Sequence, residues 1–195
     1  MLKTRYLGQP ILFPGIVSSA GDRSATGCRF GAVPRNRPAP DYATGPVTRA
    51  LRIASVLGIG AVTVFLLWRY PSLPEIVPVH FNFAGAADGF GPRSSTLWLA
   101  GVMTGLGALV AWLSTKPDVL NYPGEITGAN AQRMYREGER MMVWVLAGLA
   151  LVYLGICLQT FAGTGAAVLI VGLIALMGST LAGLVRMSIA ETPNN

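Results

Sequence analysis

Four long apolar stretches dominate the pattern of this sequence. They cover residues 53–68, 97–113, 141–161 and 166–185, and none contains Asp, Glu, Lys or Arg. A helix rises about 1.5 Å per residue, so roughly 20 apolar residues cross a hydrocarbon core about 30 Å thick. The last two stretches reach that length, and the first two reach it with an interfacial turn at each end.

The membrane environment determines the secondary structure of these stretches. In lipid every backbone N–H and C=O needs a partner inside the protein, and a helix supplies it within its own segment. A soluble bundle is disfavoured, because its helices would carry a polar face that these stretches lack. The pattern predicts an all-α fold over residues 46–190: a four-transmembrane-helix bundle with spans near 50–69, 96–114, 141–161 and 166–185.

The composition agrees with this class. Of 195 residues, 52% are hydrophobic and only 12% are charged, and the formal net charge is +6. Such a profile is typical of a membrane bundle whose first partner is the lipid bilayer. We expect no nucleic-acid partner.

The distribution of Lys and Arg predicts the orientation of the bundle. Only residues within about 20 positions of a span count reliably. Nine of them lie on the side that holds both ends of the membrane domain and the loop between spans two and three, whereas Arg69 and Arg93 lie on the other side. The protein is therefore predicted to lie in the plasma membrane with both termini in the cytoplasm and the loop of residues 70–95 outside.

Residues 1–45 differ from the rest of the chain. They mix Gly, Pro, Arg and Ser without a helical or alternating period. Such a segment buries too little apolar surface to offset its ordering entropy, so we predict a disordered basic cytoplasmic tail. A signal peptide cleaved after Ala20 and a start codon assigned too early are the alternatives. The apolar region of that signal peptide would be short and interrupted by Pro14.

The outer loop, residues 70–95, is predicted to form a short extracytoplasmic cap. Its prolines, which prevent a regular helix, are Pro71, Pro74 and Pro78. Residues 79–83 then alternate apolar and polar, the period of a half-buried strand, with His80 and Asn82 on the face opposite the apolar side chains. Residues 84–91 contain three glycines and predict a turn. We therefore predict that this loop forms a Pro/Gly-rich strand or hairpin over the outer face.

The loop between spans two and three leads directly into the third helix. Residues 121–124, Asn-Tyr-Pro-Gly, form a turn signal, and Thr127 is positioned to cap the helix that follows. The charged residues after it continue into the third span, so one helix is predicted from about Gly128 to Phe161. Only residues 162–165 separate the third and fourth helices, which are expected to form an antiparallel hairpin.

Small residues within the spans indicate where helices approach one another, because lipid offers no hydrophobic drive for their association. Gly101 and Gly105 form a small-xxx-small pair on span two. Spans one and four carry further glycines at Gly58, Gly60, Gly172, Gly178 and Gly183. We interpret these positions as packing sites within the bundle rather than as a dimer interface.

The chain offers little catalytic chemistry. Cys28 lies in the tail and Cys157 in the third span, so both are expected to be unpaired thiols. A single histidine cannot build a zinc site, and no nucleophile–base pair is visible. We therefore predict no metal site, no cofactor and no catalytic residue, and we expect the protein not to be an enzyme. The spans also lack the Asp, Glu, His or Arg of an ion path through one monomer.

The outer loop resembles a known family signature. Residues 73–82 read Leu-Pro-Glu-Ile-Val-Pro-Val-His-Phe-Asn, and Gly85 and Asp88 follow. This pattern resembles the N-terminal domain of SdpI-type toxin-immunity membrane proteins, a domain mostly without assigned function whose signature runs roughly L-P-x-x-I-P-x-H-F-N-x-x-G-x-x-D. The resemblance covers roughly residues 50–160. That family usually has a basic residue, often lysine, a few positions after the Asp, and Arg93 can fill that role here.

The resemblance implies that the loop is an extracytoplasmic site for a peptide or small ligand. The candidate binding residues are Pro74, Pro78, His80, Asn82, Gly85 and Asp88. Within this set Asp88 can pair with His80, as can the nearby Glu75, and Asn82 can bond the turn around Gly85. The same residues also suit a purely structural cap, in which proline limits chain entropy and glycine supplies a positive φ.

Three functions are open at this point. The chain can be an immunity- or receptor-like protein that senses an extracytoplasmic peptide or small ligand through the outer loop. It can also be an accessory subunit of a membrane transport or signalling complex, whose partner membrane protein supplies the activity. A transporter or channel would need oligomerisation to build a polar path.

The predicted topology can be tested with reporter fusions. Fusions of alkaline phosphatase and of a fluorescent protein after Ser114 and after Ile189 should report the cytoplasm, and fusions near Gly89 should report the outside. The reason is the excess of Lys and Arg on the side of the two termini. A cytoplasmic signal at Gly89 would overturn the charge argument.

Overall fold

The computed structural model describes residues 37–82 and 85–191. The signal-peptide alternative, Cys28 and most of the tail prediction lie outside these residues. Within them the helices are α1 (Pro46–Arg69), α2 (Ser95–Leu113), α3 (Ala131–Ala162) and α4 (Ala166–Glu191). All four are long and apolar enough to cross a membrane. The prediction of a mostly helical, four-span membrane protein is confirmed.

The central helix of the bundle is α3, which packs against α1, α2 and α4. Leu146 and Tyr153 of α3 are fully buried and belong to one apolar core with Ile59 and Leu66 of α1. We call the end of the bundle where α1 begins and α4 ends the basic end. The opposite end, which carries the two strands between α1 and α2, is the hairpin end.

The start of α3 differs in detail from the prediction. The sequence places the cap at Thr127, whereas the helix begins at Ala131 with Asn130 in the N-cap position. Asn130 Oδ1 accepts a hydrogen bond from Thr127 N (2.8 Å), and Asn130 Nδ2 donates one to Glu125 O (2.9 Å). The amide carries its acceptor and donor on separate atoms, so one side chain ties two parts of the preceding turn together.

The short connection between α3 and α4 produces the predicted antiparallel hairpin. Gly163 follows α3 with φ 66°, in the left-handed region that favours glycine. A Cβ built at Gly155 would lie 2.5 Å from Leu169 N, and one built at Gly172 would lie 2.6 Å from Val152 N. The two backbones therefore approach too closely for a side chain at either position.

Only part of the glycine interpretation is correct. Gly172 and Gly183 do pack against α3, but a Cβ at the other predicted positions would meet nothing within 4 Å. Those positions are Gly58, Gly60, Gly101, Gly105 and Gly178. Gly148 and Gly155 of α3, which the sequence interpretation leaves out, make the close approaches to α4 instead. Spacing along one helix does not show which of its faces meets a neighbour.

The 70–95 loop forms a hairpin of two strands. Strand β1 (Ile76–Phe81) pairs antiparallel with β2 (Ala87–Pro92). The stretch 84–91, interpreted as a turn, thus lies mostly in β2. The hairpin is closed by a hydrogen bond from Asn82 N to Ala86 O (2.9 Å).

Two register shifts break the predicted alternation of faces. The pairing slips between Pro78 and His80 and again between His80 and Phe81. A bulge adds an unpaired residue and rotates the side chains that follow. Val77 is buried while Val79 is 47% exposed, so the apolar side chains of β1 do not share one buried face. Phe83 lies outside the described residues.

The segment before α1 is fixed in place over residues 37–45. The sequence predicts disorder up to residue 45, but here the chain lies against the first turns of α3. Tyr135 Oη donates a hydrogen bond to Pro38 O (3.0 Å), and Gln132 Nε2 donates one to Ala39 O (2.8 Å). The prediction is wrong for these residues because α3 supplies polar side chains that bind their backbone.

A buried ion pair joins the elements of the basic end. Arg52 of α1 pairs with Glu139 of α3, which is only 4% exposed. Thr44 Oγ1 donates a hydrogen bond to the same carboxylate (2.7 Å), and Arg52 Nη2 donates one to Ser114 O (3.2 Å) just after α2. Burial raises the pKa of the nearby Tyr42 hydroxyl above its usual range, and the Glu139 carboxylate adds to this effect.

The contact between α3 and α4 predicts the effect of a larger residue at Gly155. Gly155→Leu should force the two backbones apart and lower the free energy of unfolding in detergent by about 1–3 kcal/mol. Gly101→Leu is the matched control, because a Cβ there meets nothing within 4 Å. Thermal unfolding of both purified variants measures the difference, and an equal loss in the two would contradict the assigned contact.

The contacts of residues 37–45 predict how far the N-terminus can be shortened. A deletion of residues 2–44 should be less stable than a deletion of residues 2–36 by about 2–4 kcal/mol, because it also removes several hydrogen bonds to α3 of about 1 kcal/mol each. Melting temperatures of the two truncated proteins give the comparison. Identical values would show that this segment contributes nothing to the bundle.

Candidate ligand site at the hairpin end

The hairpin, α3 and α4 border a groove of about 420 Å³. Its polar side comes from His80, Asn82 and Asp88 on the hairpin and from Gln159 on α3. Its apolar wall comes from α4 and consists of Ala166, Leu169, Ile170 and Leu173. The groove therefore offers hydrogen-bonding groups on one side and a hydrocarbon surface on the other.

An imidazole–carboxylate pair lies at the rim of this groove. His80 Nδ1 and Asp88 Oδ1 are 2.6 Å apart, and their side chains are 71% and 43% exposed. Exposed side-chain pairs contribute little to stability, so this pair is accessible to a ligand and is not expected to be needed for the fold. Gly89 pairs with His80 across the strands, and a Cβ at Gly89 would lie 2.8 Å from His80 Cβ. The absence of a side chain at Gly89 therefore leaves the space that His80 occupies.

Asn82 and Gly85 shape the end of the hairpin. Asn82 Oδ1 accepts a hydrogen bond from Ala86 N (3.0 Å), and Gly85 N donates one to Asn82 O (2.8 Å). Gly85 has φ 79°, and a Cβ there would lie 2.5 Å from Ala166 Cβ. Only glycine allows this backbone conformation and this close contact together. The predicted bond between Asn82 and the turn is present, and it brings the hairpin onto the first turn of α4.

Gln159 belongs to the groove although the sequence analysis does not name it as a site residue. Its Nε2 donates a hydrogen bond to Gly85 O (2.6 Å). Its Oε1 is buried and has no hydrogen-bond partner among residues 37–82 and 85–191. Leaving a buried acceptor unpaired costs free energy, so a donor on a bound ligand would be favourable here. The sequence signal that could have identified Gln159 as a site residue is an amide side chain within an otherwise apolar span.

The two candidate prolines occupy different positions. Pro78 lines a neighbouring groove of about 490 Å³, which shares His80 and Phe81 with the first and extends toward α2. Pro74 is exposed and lines neither groove. The structure thus brings His80, Asn82, Gly85 and Asp88 together, places Pro78 beside them and leaves Pro74 apart.

Arg93 closes the base of the hairpin rather than lining the groove. Its backbone N donates a hydrogen bond to Glu75 O (2.8 Å), and its guanidinium carbon lies 5.5 Å from the centre of the Tyr70 ring. This distance is within the range of a cation–π contact. The carboxylate bonded to His80 is that of Asp88, and Glu75 contributes its backbone carbonyl at the other end of the hairpin.

Comparisons with known proteins cover this hairpin and its flanking helices. Residues 57–104 match a family described as a domain of unknown function (DUF1648). An uncharacterized protein from Archaeoglobus fulgidus is 36% identical over 61 residues, which represent 29% of this chain and 33% of that relative. No solved structure matches the chain. The family match runs from α1 through both strands into α2, so it contains all six candidate residues and gives them no assigned function.

Proposed function

We propose that this multi-pass membrane protein senses an extracytoplasmic peptide or small ligand in the groove at the hairpin end. It acts by binding rather than by catalysis, as an immunity- or receptor-like protein. The main support is the convergence of His80, Asn82, Gly85 and Asp88 with Gln159 around one groove. The resemblance of residues 73–88 to SdpI-type toxin-immunity proteins supports the immunity-like form of the proposal.

The lining indicates the chemistry of the ligand. Leu169, Ile170 and Leu173 favour an apolar body. Asp88 favours a cationic group, and Gln159 Oε1, which has no partner within residues 37–82 and 85–191, favours a hydrogen-bond donor. A volume of about 420 Å³ suits a short apolar peptide segment that carries one ammonium or guanidinium group. Such a ligand would enter from the aqueous side or along the membrane interface.

The proposed orientation places the hairpin end outside the plasma membrane. It rests on the distribution of basic residues along the sequence, because Arg69 and Arg93 flank the hairpin whereas nine Lys and Arg residues lie in the segments predicted on the other side. A groove at the outer face is reached by peptides that never cross the membrane.

Substitutions at the rim of the groove test this function. His80→Ala and Asp88→Asn should each weaken binding of the best ligand in a panel of apolar decapeptides with one Lys by about tenfold, because a hydrogen bond to a charged group is lost. The melting temperature without peptide should barely change, since the pair is exposed. Fluorescently labelled peptides and the purified full chain give both measurements.

Glu75→Gln is the matched control for Asp88→Asn. It removes one exposed carboxylate from the same hairpin but away from the groove, so peptide binding should be unchanged. A fall in stability that accounts for the lost binding would identify a structural cap instead of a site. Unaltered binding in both rim variants would contradict the proposal and favour the alternative, an accessory subunit of a membrane complex.

A further inference from the structure

A separate groove lies at the basic end, between the first turns of α3 and the last turns of α4. It measures about 470 Å³ and is lined by four arginines: Arg133, Arg136 and Arg140 from α3, and Arg186 from α4. Glu137 is the one carboxylate among its described lining residues, and Arg140 Nη1 donates a hydrogen bond to Glu137 Oε1 (2.6 Å). Positive charge therefore exceeds negative charge among the described lining residues.

This basic groove continues into an apolar groove along the same two helices. The second cavity, of about 310 Å³, shares Glu137, Arg140 and Arg186 with the first. It then follows α4 past small residues toward the middle of the span, namely Gly178, Ser179, Ala182 and Gly183. Trp144 of α3 borders it and is 50% exposed, a position typical of a side chain at the membrane interface.

We propose that an anionic phospholipid occupies this continuous surface. Its phosphate lies among the arginines of α3 and Arg186, and one acyl chain lies along the small residues of α4. Guanidinium groups bind phosphate oxygens through paired N–H donors, and basic grooves between transmembrane helices attract anionic headgroups. A free phosphate would use only the first cavity and a neutral lipid only the second, whereas the structure joins the two at Arg140 and Arg186.

The two helices contribute different parts of the site. Arg136 lies over the Tyr42 ring, with its guanidinium carbon 5.4 Å from the ring centre, and Arg140 is bonded to Glu137. These contacts hold Arg136 and Arg140 in place before a lipid arrives. Arg186 is exposed and reaches the groove from α4, so it completes the positive surface on the second side. This site is independent of the proposed function, because it lies at the opposite end of the bundle.

Binding of phosphatidylglycerol and phosphatidylcholine to the purified full chain tests the lipid site. Native mass spectrometry in a neutral detergent should show phosphatidylglycerol bound at least tenfold more tightly than phosphatidylcholine, with a matching rise in melting temperature. Inorganic phosphate and glycerol phosphate at the same concentration should not reproduce that rise, because they leave the apolar groove empty. Equal binding of the two lipids, or equal stabilisation by inorganic phosphate, would overturn the proposal.

Three variants separate this site from general surface charge. Arg186→Gln should reduce the preference for phosphatidylglycerol about fivefold, the effect of one basic residue at a membrane surface. Arg49→Gln removes the same charge from an exposed position near the start of α1, outside the groove, and should retain the preference. Gly178→Leu should weaken phosphatidylglycerol binding by filling the apolar groove. A Cβ there meets nothing within 4 Å, so this variant should still fold.

The variants also provide the contradicting outcomes. An equal loss of preference in Arg49→Gln and Arg186→Gln would show diffuse electrostatic attraction and overturn the site. Unchanged lipid binding in Gly178→Leu would overturn the assignment of the acyl chain. If Arg186→Gln fails to fold, the Gly178→Leu measurement still decides, because that variant keeps every charge.

Discussion

The backbone contact between α3 and α4 is the constraint on which the candidate ligand groove and the basic groove both depend. Gly155 and Gly172 let the two helices touch without intervening side chains, which sets the position of α4 along its whole length. At the hairpin end this contact brings Ala166 against Gly85, and at the basic end it brings Arg186 to the groove that Arg140 lines. In lipid such close packing supplies the association energy that the hydrophobic effect supplies in water.

Helix α3 carries polar groups near both of its ends, and each group binds a neighbouring element. At the basic end the Glu139 carboxylate receives bonds from Arg52 and Thr44, so several elements meet at one buried charge. A buried ion pair of this kind specifies an arrangement more than it adds net stability. At the hairpin end Gln159 uses its donor on Gly85 and keeps its acceptor unpaired among the described residues. Each end thus has one buried nitrogen or oxygen atom, Arg52 Nε or Gln159 Oε1, without a hydrogen-bond partner among the described residues.

Much of the architecture follows from periodicity and charge, because these features act within single segments. The lengths of the four apolar stretches predict the spans, and the connection of residues 162–165 predicts the helical hairpin. The pairing of His80 with Asp88 and the bond from Asn82 to the turn were also accessible, since strand and turn signals bring these residues close in sequence.

The features that escaped prediction depend on contacts between segments. Glycine spacing could not distinguish Gly101, which borders open space, from Gly155, which meets α4. The register shifts around His80 depend on the partner strand. Residues 37–45 adopt a defined conformation because side chains nearly a hundred positions later, such as that of Tyr135, bind their backbone. Gln159 becomes a groove residue only because the hairpin returns to the end of α3.

The pairing of Arg52 with Glu139 has a consequence for biosynthesis. The two residues are 87 positions apart, so Arg52 leaves the ribosome well before its partner exists. At about 5–20 residues per second this interval is on the order of 10 s, during which α1 and α2 insert while the guanidinium is solvated by water and lipid headgroups. The bundle can close at its basic end only after α3 has been made. The ion pair between Arg52 and Glu139 therefore forms late in synthesis, after α1 and α2 have been translated.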